Sequence, residues 1–251
     1  MRLENRVALM CGVGPRMGRA SAVLFAQEGA QVVVAARRQE QLADTAAQTK
    51  EVGKEALVVP TDVSKPEEVE RLLKEVTDRY GRIDVLYDGT GGFWEPTRKF
   101  ADVDPGFWNT ALANTLNSAY NLTQGVRPLM AKQGGGSIVF IGASFNVRQA
   151  GNAAYNAAKS GLIGYGQSLA RELYADNIRV NVIASGLIRA TTATGRILPP
   201  SVKLARVGAP EDIAHAALYF ACDESAWVTG QVMSVEGGVD VAARGLKALG
   251  E

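Results

Sequence analysis

Histidine is nearly missing from this chain and cysteine is scarce, with one His and two Cys in 251 residues. The shortage closes several routes at once. A zinc site needs a cluster of Cys or His ligands, and His215, Cys11 and Cys222 do not make one. A disulfide framework is excluded on the same count. Both cysteines stand in apolar runs and read as buried free thiols of a protein in the reducing cytoplasm. A Ser–His–Asp hydrolase would have to recruit His215 from Pro210-Glu211-Asp212-Ile213-Ala214-His215, which reads as the opening of a helix. It would also need a Gly-x-Ser-x-Gly elbow, and the sequence has none.

A surplus of charge is absent too. Lys and Arg number 27 against 26 Asp and Glu, a net charge of +1. Bulk electrostatics therefore gives no reason to expect a nucleic-acid or membrane partner, and any bound anion must be held locally. No apolar stretch approaches the roughly 20 residues of a membrane span. The opening Met1-Arg2-Leu3-Glu4-Asn5-Arg6 has no signal-like apolar region. Linkers, repeats and low-complexity tracts are lacking, so residues 1–251 are expected to form a single domain.

What is present is an alternation. Val7–Cys11, Val32–Ala36, Ala56–Pro60, Val85–Asp88, Ser137–Ile141, Arg179–Ile183 and Gln231–Val235 read as strands. They are near-continuously apolar, as in a parallel sheet covered on both faces. Helix-period segments separate them. Val69, Leu72, Leu73 and Val76 make one apolar stripe, and Ser64-Lys65-Pro66-Glu67 predicts its start with Ser64 as N-cap. Asp104-Pro105 predicts a single long helix toward Lys132, ended by Gln133-Gly134-Gly135-Gly136. The expected fold is α/β: a doubly wound parallel sheet of about seven strands with helices on both faces, of Rossmann type. Ligands of such a sheet sit beyond the carboxyl ends of the strands.

At the first of those ends stands Cys11-Gly12-Val13-Gly14-Pro15-Arg16-Met17-Gly18, leading into a helix. Glycines there let the backbone turn sharply and approach a pyrophosphate, whose charge the helix N-terminus favours. Gly12, Gly14, Arg16, Met17 and Gly18 are thus candidate cofactor contacts. After the second strand comes Ala36-Arg37-Arg38. An acid at this position would accept from an adenosine ribose and repel a 2′-phosphate; Ala36 removes it, and Arg37 and Arg38 offer charge-assisted donors. The pattern predicts NADP(H) rather than NAD(H).

Tyr155-Asn156-Ala157-Ala158-Lys159 places a phenol and an ammonium at i and i+4 on one helical face. A phenol of pKa near 10 is a poor base at neutral pH, but a nearby cation favours the phenolate. Tyr155 can then exchange a proton with an alcohol or carbonyl while hydride moves.

With these features in place, nearly the whole chain resembles the short-chain dehydrogenase/reductase family. Further segments carry the likeness: Asp62-Val63, Asn181 through Gly186, Arg206 through Ala214, and Thr229-Gly230-Gln231 with Glu236-Gly237-Gly238. The resemblance implies adenine contact at Asp62 and Val63 and nicotinamide contact around Gly186 and Ile188, with Gly89 near the adenine. It also implies a Lys159 hydrogen bond to the nicotinamide ribose, and a homotetramer or homodimer formed through the long helices. The departures are specific. Arg16 replaces a glycine, Asp88-Gly89-Thr90-Gly91 replaces Asn-Asn-Ala-Gly, and Ser185-Gly186 replaces Pro-Gly. Thr115 aligns with the active-site Asn, whose backbone carbonyl orders a water leading to the lysine; Asn114 is the alternative. The hydroxyl that donates to the substrate oxygen aligns with Ala143 or Gly142, leaving Ser144 as the nearest hydroxyl and Asn146 as another donor.

The expected partner is a small-molecule ketone or secondary alcohol, with Phe93, Trp94, Phe145 and Leu187 as candidates for an apolar wall. Arg98 and Arg148 are candidates for an anionic substrate group, and residues 187–208 for a substrate loop, with Thr191–Pro200 as a lid. The alternative expectation is a cofactor-binding relative with weak or no catalysis and a regulatory or scaffolding role.

Overall fold

A computed structural model describes residues 1–189 and 206–242. The central strands are β1 (Val7–Cys11), β2 (Gln31–Ala36), β3 (Leu57–Pro60), β4 (Val85–Asp88), β5 (Gly136–Ala143), β6 (Ile178–Ser185) and β7 (Val232–Val235). They form one parallel sheet in the order β3-β2-β1-β4-β5-β6-β7. The chain winds outward from β1 to β3, then returns to lay β4 against the other side of β1. That reversal is the topological switch point, and the turns after β1 and β4 diverge there.

Every β1 residue is buried because both faces are covered. Ala8 and Met10 enter one core with Val32, Val34, Leu24, Phe25 and Leu218. Leu9 and Cys11 enter the other with Val33, Leu72, Leu122, Phe140 and Leu162. This two-residue alternation divides the sheet into two apolar layers. The first is closed by α1 (Met17–Gln27) and α8 (Pro210–Ala221); α2 (Gln39–Val52) contributes Leu42 and Ala46 to it. The second is closed by α3 (Pro66–Tyr80), α5 (Ser118–Lys132) and α7 (Ala153–Glu172). Cys11 and Cys222 are buried free thiols, and His215 is a residue of α8 whose ring meets the Glu211 carbonyl. Among the described residues no helix is long and apolar enough to cross a membrane, and no metal-ligating cluster occurs.

The stripe of α3 is buried as expected: Val69, Leu72, Leu73 and Val76. Its cap is not. Lys65 is the N-cap with Pro66 in the first turn, while the Ser64 hydroxyl donates to Asp62 Oδ1 at 2.7 Å. Asp62 draws Ser64 into its own turn, so the serine does not serve the helix. The expected single helix from Asp104 is likewise divided. Asp104 caps α4 (Pro105–Leu112) by accepting from the Phe107 N–H at 2.9 Å, but a π-helical turn at Ala113–Asn117 separates α4 from α5. The Ser118 N–H and hydroxyl both bond the Ala113 carbonyl, five residues back, and this holds the extra residue in the turn. The short helix α6 (Phe145–Ala150) follows β5 directly. The expected lid at Thr191–Pro200 and most of the 187–208 loop lie outside the described residues.

Candidate active site

Two cavities open beyond the carboxyl ends of the strands. The smaller, about 410 Å³, spans the switch point. Gly12, Gly14 and Arg16 border it from the first turn, Arg37 and Arg38 from the turn after β2, Asp62 and Val63 from that after β3, and Gly89 from that after β4. Gly12 has φ +71°, and a Cβ there would lie 2.5 Å from backbone atoms of Gly89 and Thr90. Glycine is therefore required where the two diverging turns touch. At Gly14 no atom lies within 4 Å of a Cβ position, so that turn leaves open space in front of the helix end. Met17 is the first residue of α1, and Gly18 packs on Val13, where a Cβ would be 2.8 Å from Val13 Cα. Neither borders the cavity.

The charges around this cavity suit an anion. Arg16, Arg37 and Arg38 are exposed, and among the described residues none of them forms an ion pair. The first turn of α1 carries no acid to compete at the positive helix end. Asp62 is partly buried, which pushes its carboxyl up; hydrogen bonds from Ser64 and the charges of Arg37 and Lys65 outweigh this and hold it below the usual range. Thr90 and Gly91 of the β4 turn and Asn114 also line the cavity, as do three residues that no motif singles out: Gln41, Thr61 and Ser118. The spacing of Thr61 just before Asp62 was the one available signal; the others arrive by tertiary packing.

The larger cavity, about 700 Å³, lies past β5, β6 and β7. Trp94, Ser144, Asn146, Val147, Gly186, Leu187 and Ile188 are among its walls. Trp94 and Leu187 thus take their expected places. Phe93 does not; it packs edge-on against Phe107, with ring centroids 5.2 Å apart. Phe145 is 39% exposed on α6, away from the wall. Arg98 is engaged locally, bonding Glu95 at 2.7 Å and the Asp102 carbonyl, so it is not aimed at a ligand. Arg148 folds back to donate to the Ala143 carbonyl at 2.8 Å.

The Tyr–Lys pair touches a wall residue of each cavity, Thr90 of the smaller and Trp94 of the larger. Asn152 caps α7 by accepting from the Tyr155 N–H at 2.9 Å, and its amide donates to the Phe93 carbonyl. The cap fixes the first turn, and with it Tyr155; Lys159 follows one turn later on the same buried face. Trp94 donates to the Val147 carbonyl at 3.1 Å, and its ring shares with Tyr155 the space above Gly151. Lys159 Nζ donates to the carbonyls of Ile141 at 2.7 Å and Thr90 at 3.0 Å. Burial pushes the Tyr155 phenol up to about 12, partly countered by the Arg148 charge. Burial pulls the Lys159 ammonium down to about 8, partly countered by Asp88.

Ser144 follows the last residue of β5 and is 1% exposed; its N–H donates to the Ser185 carbonyl at 2.8 Å. It is the N-cap of α6 by position, yet its side chain makes no cap bond. Asp240, from the segment after β7, does that work instead, accepting from the N–H groups of Phe145 at 2.8 Å and Asn146 at 3.0 Å. The Ser144 hydroxyl is thereby left on the cavity wall. Thr115 is buried at 2% exposure inside the π turn, its hydroxyl beside Gly91 and its carbonyl accepting from the Ser118 N–H. Asn114, one residue earlier, borders the smaller cavity instead.

An arginine-edged cavity at the switch point of a parallel sheet, an apolar cavity beside it, and a phenol–ammonium pair touching a wall residue of each are together the arrangement of a nicotinamide-binding α/β oxidoreductase. Comparison with known proteins narrows this. A family profile described as enoyl-(acyl carrier protein) reductase matches residues 12–240. A 3-oxoacyl-[acyl-carrier-protein] reductase, FabG, from Thermotoga maritima is 33% identical over 249 residues, covering 95% of this chain and 99% of its own. A 7alpha-hydroxysteroid dehydrogenase from Clostridium sardiniense is 35% identical, covering 94% of each. The solved structure of a short-chain type dehydrogenase/reductase from Mycobacterium ulcerans superposes with a TM-score of 0.83 at 28% identity, covering 95% of this chain and 90% of that one. The chain belongs to the short-chain dehydrogenase/reductase family. It is accordingly an oxidoreductase that uses a nicotinamide cofactor and moves a hydride between an alcohol and a ketone of a small molecule.

Proposed function

We propose that the chain is an NADP(H)-dependent reductase or dehydrogenase of a ketone or secondary alcohol with an apolar body, and that Tyr155 is its general acid/base. The observation that carries this reading is that Lys159 bonds the Thr90 carbonyl on the wall of the smaller cavity while Tyr155, one turn earlier on α7, shares the space above Gly151 with Trp94 of the larger. The nicotinamide, when bound, supplies or accepts the hydride. Gly12, Gly14, Asp62, Val63 and Gly89 form the adenosine and pyrophosphate side of its site; Met17 and Gly18 support the turn from behind. Gly186 and Ile188 flank the nicotinamide end. Arg37 and Arg38, with Arg16 beside them, hold the 2′-phosphate, since these three cations border the cavity without an ion pair to any described residue and no acid ends β2.

In reduction, Tyr155 gives its proton to the carbonyl oxygen, and Ser144 donates a hydrogen bond to that same oxygen. Lys159 favours the phenolate left behind, and Thr115 belongs to the path that returns the proton. The 8%-exposed Tyr155 and the Trp94 ring above Gly151 keep bulk water from the reacting oxygen. Assembly as a homodimer or homotetramer through the outer faces of α5 and α7 completes the reading; Tyr120 on α5 is 53% exposed. The test is an NADPH-consumption screen over ketones of increasing apolar size, repeated with Tyr155→Phe. Turnover that Tyr155→Phe abolishes supports the reading. Tight NADPH binding with no turnover on any ketone supports the non-catalytic, regulatory alternative instead.

A further inference from the structure

Burying an ammonium is costly, and two neutral carbonyls do not supply the opposite charge that offsets it. Lys159 is 6% exposed and has only the Thr90 and Ile141 carbonyls as hydrogen-bond acceptors. Asp88, the last residue of β4, is buried at 1% exposure; no carboxylate oxygen of it lies within ion-pair distance of Nζ, but the two charges act on one another and are joined through Thr90. Its Oδ1 accepts from the Thr90 N–H at 2.9 Å and from the Thr90 hydroxyl at 2.5 Å. Its Oδ2 is buried with no hydrogen-bond partner. The Thr90 that Asp88 grips is the same residue whose carbonyl holds Lys159. Gly91, next along, passes so close that a Cβ on it would lie 2.9 Å from Nζ.

We propose that Asp88 is the counter-charge of Lys159, a positioning residue that keeps the ammonium protonated and fixes the carbonyl that holds it. The inference rests on the reading of Lys159 given above. An isolated buried carboxylate with a bare oxygen is as costly as an isolated buried ammonium, and each relieves the other. Burial raises the Asp88 carboxyl, the Thr90 hydrogen bonds and the Lys159 charge oppose that, and the same pairing opposes the fall at Lys159. Among the described residues no other charged group acts on this pair. From the π turn the Thr115 hydroxyl approaches, from α7 itself Tyr155, and on β1 the Cys11 thiol faces Asp88; burial keeps the phenol and the thiol neutral. An asparagine at this position would still accept from Thr90. The carboxylate adds charge, and charge is what Lys159 lacks.

Asp88→Asn separates the two roles, because the Thr90 hydrogen bonds survive and the charge does not. The direct readout is the 15N resonance of the Lys159 side chain in lysine-labelled full-length protein, assigned with Lys159→Arg and followed over pH with and without NADPH. Wild type is expected to titrate near 8 without cofactor. In Asp88→Asn the proton affinity of Lys159 falls about tenfold or more, as expected for loss of the one opposite charge that acts on it within the buried site. The alkaline limb of kcat moves to lower pH in parallel. Identical Lys159 titrations in the two proteins would overturn the proposal and leave Asp88 a neutral clasp of the Thr90 turn. Should Asp88→Asn not fold, the Asp88 carboxyl 13C resonance of the wild type decides: ionised at pH 7 supports the pairing, protonated through pH 8 overturns it. Neither resonance needs turnover. Failure of the reductase assignment would remove only the kcat arm.

Discussion

The two cavities are built by different means. The smaller is made largely of backbone turns, Gly12 against Gly89 and the open front of α1, with arginines just past the end of β2, all within a few residues of a strand terminus. The larger is made of contacts between distant segments. Trp94 bonds Val147, Asp240 caps α6, and Ser144 leans on Ser185. A site whose turns are fixed by backbone approach keeps its shape through most side-chain changes and leaves its choice of ligand to a few charges at its rim. A site made of long-range side-chain contacts is where one fold diversifies its substrates. The Tyr155–Lys159 pair belongs to neither cavity, and variants on each side of it test the division.

The largest expected effect is at the Tyr–Lys pair. Tyr155→Phe should lower kcat by about 10³-fold, within the range for general acid–base catalysis, while NADPH affinity by fluorescence titration stays unchanged. A matching loss of affinity would tie the phenol to the cofactor half. The pH dependence carries a sign. With burial holding the phenol up to about 12, it is protonated at neutral pH and ready to donate, so carbonyl reduction needs no prior ionisation. Alcohol oxidation requires the phenolate, so its rate climbs with pH until Tyr155 titrates in the bound complex. Rate profiles run in both directions would show this asymmetry; parallel profiles would mean another group moves the proton.

On the substrate side, Ser144→Ala should cost roughly 10²-fold in kcat, as loss of one oxyanion donor does, with KM for NADPH unchanged. If Asn146→Ala costs that much and Ser144→Ala does not, the donor is Asn146. On the cofactor side, Arg37→Ala should weaken NADPH about tenfold or more and leave NADH nearly unaffected, since only the 2′-phosphate loses a charge-assisted bond. Equal losses for the two cofactors would refute the 2′-phosphate assignment. The smallest effect is expected at Asp240→Asn: a few-fold drop in kcat with unchanged Kd for NADPH, because an amide can still accept from one of the two α6 N–H groups.

The division also explains what could be read from the chain alone. The strands are recoverable to within a few residues because a buried parallel strand must be apolar along its length. Val69, Leu72, Leu73 and Val76 are recoverable because helical period and burial coincide. The glycine turn and the arginines at β2 are local in sequence, so they too are visible. The π turn is not: whether Ser118 bonds Ala113 depends on the packing of Thr115 and Ala119 beneath it. Ser64 misleads because its hydroxyl is equally suited to Asp62 and to a helix end. Phe93 sits at φ 64°, in a turn shared with Gly91 and Gly92, and no propensity places a phenylalanine there. The Asp240 cap spans 95 residues, and no pattern within either segment announces it.

That cap also bears on the order of synthesis. β5 and Ser144 leave the ribosome long before residue 240 does, and by then the β1–β6 sheet can already be paired. The loop bearing Ser144 stays unclasped until the carboxylate of Asp240 arrives. A nascent chain halted before residue 240 is therefore expected to bind cofactor in the β1–β4 half before its substrate side takes shape. The first half of the site matures with the sheet, and the second waits for Asp240 to dock.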